Sequence, residues 1–248
     1  MIATKAPLYV YGVVRAGALR SIDGDGVAGA AVELIERGDV AAIVSPLPSV
    51  DLRVKRSDLQ RHLHVIGAAF AETTILPCPF GTVVGSQAEL EEGLLGAGQG
   101  DIVAGIESLE GTLQINVKAF YDEDELLRTI VATDSEIARL RDSTRDSGNA
   151  GYYERLRLGE LVAARVADLR LRDAERLVGE LAGAALDVFV EEPERDGVFK
   201  ASFLVQRAAL KRFDDVLESV SRREQPLLRF AAIGPLPPSA FAGAYARV

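Results

Sequence analysis

Residues 112–121 read TLQINVKAFY, a stretch in which polar and apolar side chains alternate. The apolar face of this stretch consists of Leu113, Ile115, Val117 and Ala119. Strict alternation over this length is typical of a β-strand that buries one face and exposes the other. The stretch therefore predicts a strand in a sheet that is covered on one side only.

The residues after this strand predict a series of helices. Capping boxes, in which a side chain at the helix start and another three residues later bond each other's backbone, begin at Asp122 and Thr133. After a break at 142–151, an apolar stripe at helical spacing runs from about Tyr152 to about Ala185. The members of this stripe are Leu158, Val162, Val166, Leu169, Leu177 and Leu181.

The last third of the chain predicts a hairpin, a helix and a final strand. LDVFVEE (186–192) and GVFKASFLVQ (197–206) form the hairpin, and PLLRFAAIG (226–234) forms the final strand. The order strand, helices, strand, strand, helix, strand is the split βαβ pattern of a ferredoxin-like domain with an extra helical insertion. We expect regular structure to end before GPLPPSAF (234–241), because its prolines remove backbone donors.

The residues before TLQINVKAFY predict a second group of strands and helices. LYVYGVV (8–14) is typical of a buried strand, and 31–48 predict either two short strands folded at Gly38 or a helical turn followed by a strand. Residues 55–73 predict an amphipathic helix. The expected buried stripe of that helix consists of Leu59, Leu63, Ile66 and Phe70.

Two further patterns complete the N-terminal part. ILPCPFGTVV (75–84) predicts a bent strand that is either bulged or at a sheet edge, because Pro77 and Pro79 cannot donate to a neighbouring strand. Ser86 with Glu89 predicts the start of another helix.

A change in composition near Gly111 marks a domain boundary. The sequence therefore predicts an α+β fold with two domains. Residues 1–110 form an N-terminal α+β domain, and residues 111–248 form a ferredoxin-like α+β domain with a Pro-rich tail.

The composition is that of a folded, acidic protein. Of its 248 residues, 48% are hydrophobic and 26% are charged, and the formal net charge is −9. Nucleic acids and anionic membranes are bound by clustered Lys and Arg, so neither is expected as a partner. One cysteine excludes an internal disulfide, and no signal peptide or long uncharged apolar stretch is evident. We therefore expect a cytoplasmic protein.

The glycines of IDGDGVAGAA (22–31) have the spacing of a dinucleotide-binding loop, and Asp51 falls about where a ribose-binding acid would lie. However, Gly24 lies ten positions after the end of the first predicted strand at Val14, whereas a dinucleotide loop leaves its strand directly. The acidic residues beside the glycines would also repel a diphosphate. We interpret the stretch as a surface loop, and we expect alanine at Gly24 or Gly26 to have modest effects.

The sequence predicts no metal, no cofactor and no catalytic residues. His62 and His64 point about 200° apart on a helix and cannot bind one metal ion together. Cys78 lies between two prolines, and we interpret it as a buried thiol. No phosphate loop and no nucleophile with a base is evident.

Three stretches together resemble one family. HLHVIGAAFAETTILPCPFGTVV (62–84) resembles a motif of the gas vesicle GvpF/GvpL family, in which a helix histidine is followed by Leu-Pro and then Phe-Gly-Thr. FAAIGPLPPSAF (230–241) is similar to the family's C-terminal Gly-Pro-x-Pro-Pro signature, and NVKAFYD (116–122) to the strand that opens its second domain. Two positions depart from the pattern: Pro79 replaces an arginine and Ser239 replaces an aromatic residue.

The resemblance implies a minor gas vesicle protein that is needed to assemble the gas-filled shell. It implies contact with the hydrophobic major shell protein GvpA and other gas vesicle accessory proteins, without catalysis, as an assembly factor or a minor shell component. The candidate contact residues are Leu76, Pro77, Phe80, Gly81, Thr82, Gly234, Pro235, Pro237, Pro238 and Phe241. A purely structural role stays open for each of them.

A second function class also stays open. The ferredoxin-like pattern alone would suit a ligand-binding regulator or a small enzyme of unknown substrate.

Overall fold

The computed structural model describes residues 6–49, 55–97, 99–145 and 151–243. These residues form a mixed helical and β fold with two sheets, which confirms the predicted α+β class. Asp51, the candidate ribose-binding acid, and residues 146–150 of the predicted helix break lie outside the described residues.

The first sheet is built around its first strand. In chain order its strands are β1 (Leu8–Arg15), β2 (Glu33–Arg37), β3 (Val40–Pro46), β4 (Ile75–Pro77) and β5 (Val83–Val84). β1 pairs antiparallel with β3 on one side and with β4 and β5 on the other, and β2 pairs with β3. Residues 31–48 thus contain two strands, folded at Gly38, whose φ of 59° lies in the left-handed region that favours glycine.

The predicted edge position of ILPCPFGTVV is confirmed. β4 and β5 lie at the end of the sheet beside β1, and the chain leaves the sheet between them. Pro77 is the last residue of β4, and Pro79 lies in the gap, where no strand partner needs its missing N–H.

The helices of this part are α1 (Arg56–Glu72), α2 (Gln87–Glu92) and α3 (Gln99–Ser108). A 3-10 turn, Val27–Gly29, precedes β2, and a π-helical turn, Gly93–Ala97, follows α2. The predicted start of α2 is confirmed, because the Ser86 hydroxyl accepts a hydrogen bond from the Glu89 amide at 3.2 Å.

The buried face of α1 differs from the predicted one. Leu59 and Leu63 are 40% and 59% exposed, whereas Asp58 and His62 are each only 3% exposed. The predicted stripe is confirmed at Ile66, which is 3% exposed, and is wrong at the two leucines. Asp58 and His62 are buried in addition, because both polar side chains find hydrogen-bond partners inside the fold.

The second sheet contains the alternating stretch TLQINVKAFY (112–121) as one of its strands. Its strands are β6 (Thr112–Tyr121), β7 (Asp187–Glu191), β8 (Gly197–Gln206) and β9 (Leu228–Leu236), in the order β7-β8-β6-β9. The predicted apolar face of β6 is buried. Thr112 and Gln114 on the opposite face are also only 3% and 5% exposed, so the expectation that this face is open is wrong at the start of the strand.

The remaining helices are α4 (Glu123–Thr133), α5 (Ser135–Arg145), α6 (Tyr152–Ala182), α7 (Leu210–Glu224) and α8 (Ser239–Ala242). Asp122 caps α4 as predicted, by accepting from the Glu125 amide. The cap of α5 is Asp134 and not Thr133, because the Asp134 carboxylate accepts from the amides of residues 136 and 137. None of the helices in the described ranges is long and apolar enough to cross a membrane.

The end of regular structure was predicted too early. β9 continues through Gly234 and Pro235 to Leu236, and α8 follows. A proline is tolerated there because β9 is an edge strand, so one of its sides needs no backbone donor.

Two compact units can be distinguished in the chain. One consists of Met1–Gln114 with Gly234–Val248, and the other of Ile115–Ile233. The Pro-rich tail, which the sequence analysis assigned to the C-terminal domain, thus groups with the first unit. The predicted division into domains 1–110 and 111–248 stays a prediction.

Candidate functional site

His62 of α1 lies at the centre of a buried aromatic cluster in the first unit. Its Nδ1 is 3.0 Å from the hydroxyl oxygen of Tyr9 on β1. The Tyr11 ring stacks on the imidazole at 5.8 Å, and the Phe80 ring meets it edge-on at 5.3 Å. The histidine of the first motif and the phenylalanine that follows it by 18 positions are therefore direct neighbours.

The hydrogen bonds of this cluster form a short chain of neutral groups. The Gly81 amide donates to the Tyr9 oxygen at 2.9 Å, and the same hydroxyl group shares a hydrogen bond with His62 Nδ1. Burial lowers the pKa of His62 to about 4, which keeps the ring neutral and able to accept. Burial also raises the pKa of Tyr9 to about 12, although the bond from Gly81 opposes this shift. These hydrogen bonds fix the turn at Gly81, whose φ is 92°.

A second tyrosine holds the glycine-rich loop. Tyr11 donates to the Ser45 hydroxyl at 3.0 Å and accepts from the Val27 amide at 2.7 Å. A Cβ on Gly26 would lie 2.3 Å from both hydroxyl oxygens, a distance that atoms of this size cannot adopt. The packing around Gly26 therefore argues against the modest effect that the sequence predicts for alanine at this position. Its loop opens only the 3-10 turn Val27–Gly29, not the helix that a dinucleotide site needs.

Asp58 joins the same loop to the start of α1. Its carboxylate accepts hydrogen bonds from the amides of Lys55 at 3.0 Å and Ala28 at 3.2 Å, and from the guanidinium of Arg61 at 3.3 Å. Burial alone would raise the pKa of Asp58, but these hydrogen bonds outweigh it and hold the pKa below its ordinary value. These hydrogen bonds explain why a carboxylate can lie on the buried face of α1.

The C-terminal motif packs against the other end of the first motif. α8 contacts β4, and the Ala240 amide donates to the Gln114 side-chain oxygen at 2.9 Å. Pro238 and Ala242 are buried in this contact region of the first unit. Two stretches more than 150 positions apart in the sequence are therefore brought together.

The candidate contact residues divide by exposure. The buried ones are Leu76, Pro77 and Pro238. The half-buried ones are Phe80, Thr82, Pro237 and Phe241, and the exposed ones are Gly81, Gly234 and Pro235. Only the last two groups offer surface to a partner in this conformation, and a contact role for the set stays a prediction.

Sequence reasoning missed Tyr9, Tyr11, Asp58 and Gly26. A signal was available for one of them, since Asp58 and His62 are four positions apart and share a helix face. The partners of the other residues lie far away in the sequence, and no local pattern identifies them.

Cys78 is 3% exposed, and burial raises the pKa of its thiol to about 12, so the nucleophilic thiolate is disfavoured. No group of three His, Cys, Asp or Glu side chains within the described ranges is placed to hold a metal ion.

Comparison with known proteins identifies the family. A profile described as "Gas vesicle synthesis protein GvpL/GvpF" matches residues 7–243. The chain belongs to the GvpL/GvpF family. This confirms the resemblance seen in the motifs and places the protein among gas vesicle proteins. Its His62 cluster and its C-terminal tail are thus features of a GvpL/GvpF chain.

A relative and two solved structures match nearly the whole length of this chain. Gas vesicle protein F of Streptomyces sp. (strain CB03234) is 30% identical over 236 residues, which cover 94% of this chain and 98% of that protein. The crystal structure of GvpF from Anabaena sp. PCC7120 has a TM-score of 0.81 at 21% identity and covers 96% of this chain and 98% of its own. GvpF from Microcystis aeruginosa has a TM-score of 0.73 at 21% identity, with 96% and 99% covered. The two structures show that the GvpL/GvpF chain shares their fold.

Proposed function

We propose that this chain is a minor gas vesicle protein that promotes assembly of the gas-filled shell by binding the major shell protein GvpA. It acts in the cytoplasm at the gas vesicle, as an assembly factor or a minor shell component, together with other gas vesicle accessory proteins. The observation that carries the proposal is the family match over residues 7–243, which includes both motifs.

The chemistry of the motif cluster supports binding rather than catalysis. His62 and Tyr9 are neutral at physiological pH and satisfy each other, and the carboxylate of Asp58 is occupied by three donors. A general base or nucleophile needs a free lone pair that faces a substrate. These side chains instead fix the positions of the loops around them.

The edge of the first sheet is the proposed contact surface of the motif. Tyr9, Tyr11 and His62 are buried, whereas Phe80 is half-buried and Gly81 is exposed at the turn between β4 and β5. A half-buried aromatic side chain on a rigid base is the type of residue that dominates many interfaces. The net charge of −9 would keep a complex with a hydrophobic shell subunit in solution.

The ferredoxin-like description of the second part belongs to the proposal as well. Across the second sheet the strands follow the order β7-β8-β6-β9, which are the second, third, first and fourth strands of this part of the chain. Helices follow the first and the third of these strands in the sequence. This order is that of a split βαβ unit, and α4 and α5 provide the predicted helical insertion.

Co-expression with GvpA tests the proposed function. We expect GvpA to co-purify with the tagged full-length chain and not with an unrelated acidic protein carrying the same tag. Absence of GvpA from the purified chain, under conditions in which GvpA stays in solution, would refute the proposal.

A further inference from the structure

β7 lies at one end of the second sheet, so one of its sides has no strand partner among the described residues. Phe189 and Val190 of this strand are 49% and 54% exposed, and Leu186 just before it is 58% exposed. Consecutive residues of a strand point to opposite faces of the sheet, so large apolar side chains are exposed on both faces beside this edge. An exposed apolar edge offers backbone groups to which another strand can bond.

The other sheet edges in the described ranges have features that oppose such pairing. β9 contains Pro235, and the short strand β4 contains Pro77. β2 has charged residues at three of its five positions, and the Arg37 carbonyl oxygen accepts a hydrogen bond from the Gln99 side chain at 2.8 Å. The three central residues of β7 are apolar, and the strand contains neither proline nor lysine. β7 is therefore the edge among these that is open to a further strand.

The packing of the neighbouring strand shows what a further strand would cover. β8 is buried along nearly its whole length. Phe203 and Leu204, which lie opposite the first half of β7 and point to opposite faces, are 0% and 7% exposed. The apolar layers on both faces of the sheet therefore end at β7. A strand added beside β7 would cover Phe189 and Val190, as β7 covers part of β8.

The ends of the free edge are negatively charged. From the start of β7 to the end of β8, the hairpin contains five acidic and two basic residues. Asp187 at the start of β7 and Glu192 directly after its end form no ion pair within the described part of the chain. Of the two basic residues, Lys200 pairs with Glu191, and Arg195 lies in the turn between two acidic residues. The edge therefore favours a strand with Lys or Arg at its ends.

A second copy of this chain fits the edge less well. If two β7 strands paired antiparallel over their full length, centred on Phe189, Asp187 of each copy would lie opposite Glu191 of the other. Like charges directly opposite each other on paired strands are destabilising. The charges of the edge thus favour a different chain as its occupant.

We propose that the free edge of β7 binds an extended, basic segment of another protein, which adds a fifth strand to the four-stranded second sheet. Backbone hydrogen bonds hold the segment, its apolar side chains pack against Phe189 and Val190, and Lys or Arg at its ends pair with Asp187 and Glu192. This surface goes beyond the proposed function, because it serves a partner other than GvpA, whose contact is proposed at the edge of the first sheet.

Two synthetic peptides test the edge. Both contain a core of alternating valine and threonine about as long as an ordinary strand, and one has lysine at both ends where the other has glutamate. Fluorescence anisotropy of the labelled peptides measures their binding to the full-length chain. We expect the lysine peptide to bind at least about tenfold more tightly than the glutamate peptide.

Variants of the chain place the binding at β7. V190K should weaken binding of the lysine peptide at least about tenfold, because a lysine in the middle of an edge opposes pairing. L171K is the matched control, since it adds the same charge at a 70% exposed leucine of α6. D187N/E192Q should weaken binding about three- to tenfold. E160Q/D214N, at two exposed acidic residues of α6 and α7, should leave it unchanged.

Three results would overturn the proposal. The first is equal binding of the two peptides, or no binding of either. The second is a V190K protein that binds the lysine peptide as tightly as L171K does. The third is a dimer of the unchanged chain in sedimentation velocity that V190K abolishes, because a second copy would then occupy the edge. Melting temperatures of all variants show whether a loss of binding merely reflects unfolding.

Capture of co-expressed GvpA separates this proposal from the proposed function. V190K should capture as much GvpA as the unchanged chain does, and a loss of capture by folded V190K would overturn the assignment of β7 to a different partner. If the unchanged chain captures no GvpA while the peptides behave as expected, the proposed function fails and the β7 edge stands. If GvpA is captured and neither peptide binds, the β7 edge fails and the proposed function stands.

Discussion

The hydroxyl oxygen of Tyr9 and the Nδ1 of His62 lie 3.0 Å apart, although the two residues are 53 positions apart in the sequence. This contact ties the central strand of the first sheet to α1. Because the Tyr9 oxygen also accepts from the Gly81 amide, one hydroxyl group holds three segments together. Through Tyr9, His62 of the family motif thus helps to hold the exposed turn at Gly81 in place.

The first prediction concerns pH. The folded pKa of His62, about 4, is lower than its ordinary value of 6.5, so below pH 6.5 the unfolded chain binds more protons than the folded one. Stability should therefore fall as the pH decreases from about 6.5 to about 4, by up to about 1.4 kcal/mol per pH unit. Chemical denaturation across this pH range measures the slope.

His62→Gln should be less stable at neutral pH and should lose the part of the slope that comes from His62. His64→Gln is the matched control, because His64 is exposed on the same helix, and it should keep the slope of the unchanged chain. Equal slopes for the chain and for His62→Gln would show that His62 protonation does not limit stability.

The second prediction concerns Gly26. Alanine there would place its Cβ 2.3 Å from the hydroxyl oxygens of Tyr11 and Ser45, so the strand or the loop must move. We expect a loss of about 2–4 kcal/mol in the free energy of unfolding, as for other overpacked or disrupted cores. Gly67→Ala is the control, since α1 leaves open space at that position and alanine favours a helix. A Gly26→Ala protein as stable as Gly67→Ala would contradict the packing described here.

The third prediction concerns the C-terminal tail. Gln114→Leu should cost about 1–2 kcal/mol, because the Ala240 amide loses its hydrogen-bond acceptor. Hydrogen exchange of the α8 amides should become faster, since this bond ties α8 to β6. Gln206→Leu, at an exposed position at the end of β8, serves as the control. Unchanged exchange in α8 of Gln114→Leu would mean that packing alone holds the tail.

The sequence predicted the positions of strands and helices better than it predicted which of their faces are buried. Alternation in β6 and the apolar run of β1 depend on neighbours in the chain, so both strands were found. The face of α1 was not found, because hydropathy favours Leu59 and Leu63 while Asp58 and His62 have partners on distant segments. Local patterns indicate which residues are apolar, but they do not indicate which polar side chains have hydrogen-bond partners in the folded protein.

The candidate site shows the same limit. The motif residues Phe80 and Gly81 were identified by resemblance to the family, but their support by Tyr9 was not, because a tyrosine in a buried strand has no distinguishing pattern.

The last prediction decides whether Phe80 is a contact or only part of the core. Its ring packs against His62 at 5.3 Å and Tyr9 at 6.3 Å, yet the side chain is only half-buried. Phe80→Ala should therefore cost about 1–3 kcal/mol of stability, less than a fully buried phenylalanine. If Phe80 also contacts the shell protein, capture of GvpA well below the melting temperature should fall at least about tenfold. Phe189→Ala, at a 49% exposed phenylalanine of β7, should leave capture unchanged, so a folded Phe80→Ala protein with undiminished capture would restrict Phe80 to a structural role.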